Sequence, residues 1–204
     1  MPSTTAPGSF LDVSVSRSAL APLAKASAVA LAVVLTAAAA QVSVPLPFTP
    51  VPLVLTPLAV LMTSAILGAR FGAVAQAAYL LAGIAGLPVF APSAQLPPGP
   101  LRLLGPTGGY LMAYPLAAFV TGYLAERGWD RRYWTSLAAM LCGLVVIFAG
   151  GVSWLTLTVT HSVDAALTAG LRWFIVLDVM KVVAGAMLLP QAWKLLGPSR
   201  SREG

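Results

Sequence analysis

Charged residues are scarce in this chain of 204 residues. Only 9% are Asp, Glu, Lys or Arg, whereas 58% are hydrophobic, and the mean hydropathy is +0.87. A soluble domain usually carries about 25% charged residues. So little polar surface cannot cover a fold that faces water on all sides, and the composition therefore predicts a membrane protein. The length allows one domain.

Cysteine and histidine are nearly absent, with one of each. The single cysteine, Cys142, excludes an intrachain disulfide, and we expect its thiol to be buried as a small hydrophobe. No cluster of His, Cys, Asp and Glu has the spacing of a metal site, and no Ser or Cys nucleophile has a visible base partner. We therefore expect neither an enzyme nor a cofactor, and no metal or ATP site.

Long apolar runs, by contrast, are plentiful. Separated by Pro, Gly or charge, they predict an all-α membrane domain over 20–195 with about six transmembrane helices. These lie near 20–42, 53–69, 71–87, 107–126, 134–160 and 167–195. The first run could also be a cleaved signal peptide, but its length and the runs that follow favour a retained helix. We expect a disordered tail at 1–19 and a basic tail at 196–204.

The basic residues predict the orientation in the membrane. With the N-terminus inside, nine of the twelve fall on the inner side, whereas the outer loops hold only Arg102. The nine are Arg17, Lys25, Arg70, Arg127, Arg131, Arg132, Lys194, Arg200 and Arg202. The positive-inside rule then places both termini in the cytoplasm of a multi-pass protein of the cell membrane. The net charge of +6 thus needs no nucleic-acid partner.

A long loop rich in Pro and Gly, 87–109, joins the third and fourth predicted helices. A loop this apolar is expected to fold back over the helices. Arg102 is its only charge, and it could bind a carboxylate or reach lipid headgroups. Three glycines permit close backbone approach at its end: Gly105, Gly108 and Gly109. Thr107 could cap the fourth helix with its hydroxyl, and free amides there could bind an anion; an ordinary capped helix start is the alternative.

An acid and a base, Asp178 and Lys181, stand three residues apart in the last apolar run. In a helix that begins near residue 167, Asp178 lies roughly 16 Å deep, close to the bilayer midplane. Each charge there costs roughly 2.5–3.5 kcal/mol. The spacing puts both on one helix face, where they can pair. The pair either sets helix packing or forms a polar site in the bundle interior, and we favour the site because intramembrane charges usually line a ligand route.

Small residues recur at every fourth position of the first predicted helix. They are Ala28, Ala32, Thr36 and Ala40. Such a ridge lets another helix approach closely. That helix belongs either to the same chain or to a partner protein.

Four stretches of the chain resemble the biotin transporter (BioY) family. They are PFTPVPLVLTPLAVL (47–61), ILGARFGAVAQAAYLLAGIAGLPVFA (66–91), LLGPTGGYLMAYPLAAFVTGYLAER (103–127) and the D-x-x-K of 178–181. The resemblance covers roughly residues 28–190. Members of this family are substrate-binding S components of energy-coupling factor (ECF) transporters.

The resemblance implies a six-helix protein that captures biotin on the outer side, beneath the loop between helices three and four. Asp178 and Lys181 match the family's binding pair and would hydrogen-bond the ureido ring. The implied substrate-binding residues are Asp178, Lys181, Arg102, Gly105, Thr107, Gly108, Gly109, Tyr110 and Phe90. The implied partners are a membrane coupling subunit, which would dock partly on the small-residue ridge, and two ATPase subunits.

The chain departs from the family pattern at Thr56 and Pro57, where relatives usually have Gln-Thr. The prediction is a high-affinity biotin-binding membrane subunit that works with an ECF module. A stand-alone biotin carrier and a structural membrane protein are the alternatives.

Overall fold

The computed structural model describes residues 21–93 and 96–196. The predicted tail at 1–19 and all but the first residue of the predicted tail at 196–204 lie outside these residues. Helices dominate the described chain, which confirms the all-α fold class. The helices are α1 (Ala21–Gln41), α2 (Thr56–Ile84), α3 (Leu101–Leu104), α4 (Gly108–Glu126), α5 (Tyr133–Leu155), α6 (Val163–Leu167) and α7 (Ile175–Leu196). A 3-10 turn covers Trp129–Arg131, and π-helical turns, Thr156–Thr160 and Thr168–Arg172, extend α5 and α6.

A short hairpin connects α1 to α2. Its strands, β1 (Ser43–Val44) and β2 (Leu53–Val54), pair antiparallel, with Ser43 opposite Val54. The four prolines between residues 45 and 52 lack amide donors, which prevents a helix there. The hairpin loop therefore lies over one end of the helix bundle, where it reaches the last helices through Thr49.

The long helix α2 breaks at Gly68, whose φ of 82° lies in the left-handed region. Glycine adopts this conformation without steric cost. Gly122 of α4 packs against the break so closely that a Cβ there would lie 2.4 Å from the carbonyl carbon of Gly68. Glu126 accepts a hydrogen bond from the Ala69 amide at 2.9 Å, which caps the second half. The halves of α2 correspond to the predicted helices 53–69 and 71–87.

Within the described residues, three helices are long and apolar enough to span a membrane: 22–41, 56–84 and 133–160. The bent pair 163–172 and 175–191 makes a fourth if it counts as one span. These helices fit a multi-pass membrane protein. The six separate spans and the cytoplasmic position of both termini stay predictions.

The last predicted helix, 167–195, is not one straight helix. The segment Val163–Arg172, made of α6 and its π-helical extension, meets the helix Ile175–Gln191 at an angle of 42°. Side-chain hydroxyls donate hydrogen bonds to backbone carbonyls at this bend. Thr49 donates to the Ala169 oxygen at 2.6 Å, and Tyr110 donates to the Gly170 oxygen at 2.7 Å. Inserted donors of this kind disturb a helical ladder. Asp178 consequently lies in the first turn of α7, and its expected position near the bilayer midplane stays a prediction.

The small-residue ridge of α1 packs inside the chain. Ala32, Thr36 and Ala40 are buried, and Ala32 contacts the apolar side chains of α2. Gln76 of α2 donates to the Thr36 hydroxyl at 3.2 Å. A helix of the same chain is therefore observed against Ala32, Thr36 and Ala40, whereas Ala28 is half-buried, and the docking of a partner on this ridge stays a prediction. The prediction that the Cys142 thiol is buried is wrong, because this residue is exposed on the outside of the bundle.

Candidate ligand-binding site

A cavity of about 530 Å³ lies between α2, α4, α5 and α7 and is partly covered by the hairpin loop and by the segments 90–93 and 96–107. Its size is typical of sites for small molecules. Aromatic side chains form much of the wall: Tyr79, Phe90, Tyr110, Tyr114, Phe148 and Phe174. Polar groups are fewer, among them Gln41, Thr49, Thr56, Arg102, Thr107 and Asp178. An apolar cavity with a few directed polar groups is suited to an amphipathic ligand.

Asp178 supplies a carboxylate to the cavity wall, and Lys181 holds that carboxylate from behind. The Lys181 Nζ lies 2.6 Å from the Asp178 Oδ1 and donates a second hydrogen bond to the Val54 oxygen of β2 at 2.8 Å. Asp178 is 6% exposed, whereas Lys181 does not line the cavity. The ammonium group thus offsets part of the cost of burying the acid and fixes its orientation. The carboxylate faces the cavity as a hydrogen-bond acceptor.

Two tyrosines stand one turn apart on α4 beside this acid. The Tyr110 hydroxyl donates to the Gly170 oxygen at 2.7 Å. Both tyrosines line the cavity together with Asp178. Thr56, one of the two departures from the family pattern, is buried and lines the cavity. Thr56 therefore adds a polar side chain to this wall.

Arg102 is the cation of the cavity wall. It lies on α3, within the loop, and is only 9% exposed. Its Nε finds no partner among the described residues. Burial lowers the pKa of the guanidinium, but an arginine starts so high that it stays charged at neutral pH. A buried, incompletely paired guanidinium favours the carboxylate interpretation of Arg102 over contact with lipid headgroups.

The three glycines near the start of α4 shape the loop and do not line the cavity. The Gly105 oxygen accepts a hydrogen bond from the Trp154 Nε1 of α5 at 2.9 Å. A Cβ on Gly108 would lie 1.8 Å from the Leu103 oxygen, and one on Gly109 would lie 2.2 Å from the Trp154 Cβ. Their contribution is the close packing of the loop and α4 against α5.

Thr107 lines the cavity but does not cap α4. It occupies the N-cap position with helical dihedrals, φ −88° and ψ −3°, and its hydroxyl makes no capping bond. An N-cap side chain normally reaches the helix amides from an extended backbone, so this conformation explains the failed prediction. The Gly108 amide, moreover, already donates to the Gly105 oxygen at 3.0 Å. An anion site built from free amides therefore has one donor fewer than the sequence indicates.

The structure brings five of the nine proposed binding residues together in the cavity wall. They are Phe90, Arg102, Thr107, Tyr110 and Asp178. Lys181, Gly105, Gly108 and Gly109 lie outside the wall, and their part in binding stays a prediction. Sequence reasoning missed Tyr79, Tyr114, Thr56 and Gln41. The spacing of Tyr114, four residues after Tyr110, was a usable signal for a shared helix face, but no local pattern marks the other three.

A family model described as the BioY family matches residues 13–198. A biotin transporter BioY from Thermotoga maritima is 38% identical over 150 residues, which are 74% of this chain and 85% of the relative. A biotin transporter BioY from Rhizobium etli is 37% identical over 151 residues, 70% of this chain and 78% of the relative.

One solved structure shares the fold. It is the crystal structure of the S-component for biotin from an ECF-type ABC transporter. The TM-score is 0.71 at 24% sequence identity, and the match covers 85% of this chain and 90% of the other. The helical architecture described above is thus that of a known membrane protein fold.

Proposed function

This chain belongs to the BioY family, and from that membership we propose that it binds biotin and mediates biotin uptake as the S component of an ECF transporter. The observation that carries the proposal is one aromatic cavity with a buried carboxylate, Asp178, and a buried guanidinium, Arg102, in its wall. Similar proteins named as biotin transporters support the choice of ligand.

The chemistry of biotin fits the groups of this cavity. Its ureido ring offers N–H donors, its fused rings and chain are apolar, and its tail ends in a carboxylate. Asp178 would accept a hydrogen bond from a ureido N–H, and the aromatic wall would cover the rings. Arg102 would bind the carboxylate through a charge-assisted hydrogen bond, which is among the stronger polar contacts in proteins.

Lys181 has a supporting role in this proposal. Because it lies behind Asp178 and also binds the Val54 oxygen, it sets the direction of the carboxylate and need not touch the ligand. The polar groups also supply selectivity. An analogue without ureido N–H groups would leave the buried Asp178 oxygen without its partner, and such a mismatch costs more than the loss of an apolar contact.

Uptake needs a source of energy beyond this chain. None of its three lysines follows a glycine, so the sequence contains no G-x-x-x-x-G-K phosphate-binding loop. We therefore assign ATP hydrolysis to two separate ATPase subunits, joined through a membrane coupling subunit in the cell membrane. Because Ala32, Thr36 and Ala40 are packed inside the chain, we expect the coupling subunit to contact further surface of α1 besides the half-buried Ala28. The outer face of α1 offers exposed apolar side chains: Leu23, Leu31, Val34 and Leu35.

The binding site is tested by calorimetry with biotin on the purified protein and on Asp178→Asn. We expect a weakening of about tenfold or more, because the amide replaces the charged acceptor of a hydrogen bond. Asp164→Asn is the matched control, since Asp164 is exposed on α6, outside the cavity. Equal affinity of Asp178→Asn and the wild-type protein would refute the assigned site.

The partners are tested by uptake. Labelled biotin is supplied to cells that express this chain with or without a coupling subunit and ATPases. We expect uptake only in the complete system. Full uptake by the chain alone would identify a stand-alone carrier.

A further inference from the structure

A second cavity, of about 540 Å³, lies beside the ligand cavity. The two share part of their walls, namely Gln41, Phe90, Pro92, Ser93, Leu96 and Arg102. Leu87 and Pro88 line the second cavity only. The segment 88–90, called the strap below, is therefore part of a thin partition between the two cavities.

Side chains from two helices hold the strap. Gln41, the last residue of α1, has its Nε2 within hydrogen-bond distance of the Pro88 oxygen at 3.2 Å and the Phe90 oxygen at 3.4 Å, and also of the Ala37 oxygen of α1 at 3.3 Å. The two N–H groups of this amide are thus shared among three carbonyls. The Tyr79 hydroxyl of α2 donates to the intervening Val89 oxygen at 3.1 Å. Three successive carbonyls of a segment without helix or strand are thus bound by side chains. These hydrogen bonds hold the backbone of the strap in place, as backbone hydrogen bonds hold a helix or a sheet.

The hold on Phe90 fixes its ring in the cavity wall. The ring packs on the backbone of Gly83, where a Cβ would lie 2.0 Å from it, and meets the Tyr79 ring edge-to-face at 5.4 Å between centroids. Release of the Pro88 and Phe90 carbonyls would free this ring to leave the partition. The Gln41 bond to Pro88 is exposed to solvent, and exposed bonds of irregular segments open at low cost.

We propose that the strap is a gate between the two cavities and that Gln41 is its latch. A ligand enters the second cavity, passes the partition when the latch opens, and is enclosed when Gln41 binds both carbonyls again. Gln41 is a positioning residue in this scheme, because it acts through Phe90. The identity of the ligand as biotin rests on the proposed function, whereas the latch itself does not.

The test uses Gln41→Glu, which keeps the shape of the side chain but replaces the donor by a carboxylate oxygen facing two carbonyls. Hydrogen–deuterium exchange in the ligand-free protein reports the strap amide of Val89, which donates to the Leu87 oxygen at 2.8 Å. We expect its exchange to become roughly 5- to 150-fold faster, from the loss of two hydrogen bonds. Biotin dissociation, followed by displacement of labelled biotin, should accelerate by a similar factor, and association should not slow.

Two further variants make the result specific. Gln41→Met removes the donor without adding charge and should change exchange and dissociation in the same direction. Gln191→Glu makes the same chemical change at an exposed position of α7 and should leave both unchanged.

Unchanged strap exchange in Gln41→Glu would overturn the latch. Faster exchange with unchanged biotin dissociation would overturn the gate, and so would an equal effect of Gln191→Glu. Failure of the wild-type protein to bind biotin would instead refute the proposed function, and strap exchange would still decide whether Gln41 is a latch.

Discussion

Replacement of Arg102 by Gln should weaken biotin binding by removing one contact, that with the ligand carboxylate. Arg102 is 9% exposed and lines the cavity, and its Nε is without a partner among the described residues, so at least one buried donor is left for a ligand. A hydrogen bond to a charged group contributes about 1.5–3 kcal/mol. At about 1.4 kcal/mol for each factor of ten, the dissociation constant should rise roughly 10- to 150-fold.

The assay compares two ligands by calorimetry. Biotinamide has a neutral carboxamide in place of the carboxylate and keeps the rings and the ureido group. It should bind Arg102→Gln and the wild-type protein with affinities within about threefold, because the charged contact is missing in both cases. Arg172→Gln, which changes an exposed arginine outside the cavity, is the control and should leave both affinities unchanged. An equal loss for biotin and biotinamide would refute the reasoning, since Arg102 would then not face the carboxylate.

Three further predictions concern the architecture that holds the site, and thermal unfolding of the purified protein checks each one. Gly122→Ala should destabilise the fold by about 1–3 kcal/mol, because the new Cβ would lie 2.4 Å from backbone that cannot move alone; an unchanged midpoint would contradict the packing at the helix break. Thr36→Val should cost about 1–3 kcal/mol, because it leaves the buried Gln76 amide without its acceptor; no loss of stability would show that the pair is not formed. Lys181→Met should cost about 3–5 kcal/mol by leaving the Asp178 carboxylate buried without its partner. The added change Asp178→Leu should restore stability but not biotin binding, and recovery of binding would indicate that the ion pair only sets helix packing.

The sequence predicts best those features that depend on whether a whole segment faces lipid or water. A scarcity of charge across 204 residues requires a membrane fold, and the isolation of Asp178 and Lys181 in an apolar run marks a site before any fold is known. The pair is found as expected at i, i+3, bonded at 2.6 Å. The resemblance to a family then supplied biotin, which composition and spacing alone do not indicate.

What the sequence could not supply depends on contacts between distant segments. The bend before α7 follows from hydroxyls of Thr49 and Tyr110, which lie 120 and 60 residues away from the carbonyls that they bind. The burial of the α1 ridge and the position of Gln41 over the strap also require the tertiary arrangement. Thr107 is the local failure, since its residue type favours a cap but its backbone is helical.

The central claim is that the aromatic cavity containing Asp178 and Arg102 binds biotin. Calorimetric titration of the purified wild-type protein with biotin tests it most directly. The account predicts saturable binding of one biotin per chain, lost or strongly weakened in the double variant Asp178→Asn/Arg102→Gln. Absence of saturable heat from a folded wild-type protein, or full affinity in the double variant, would contradict it.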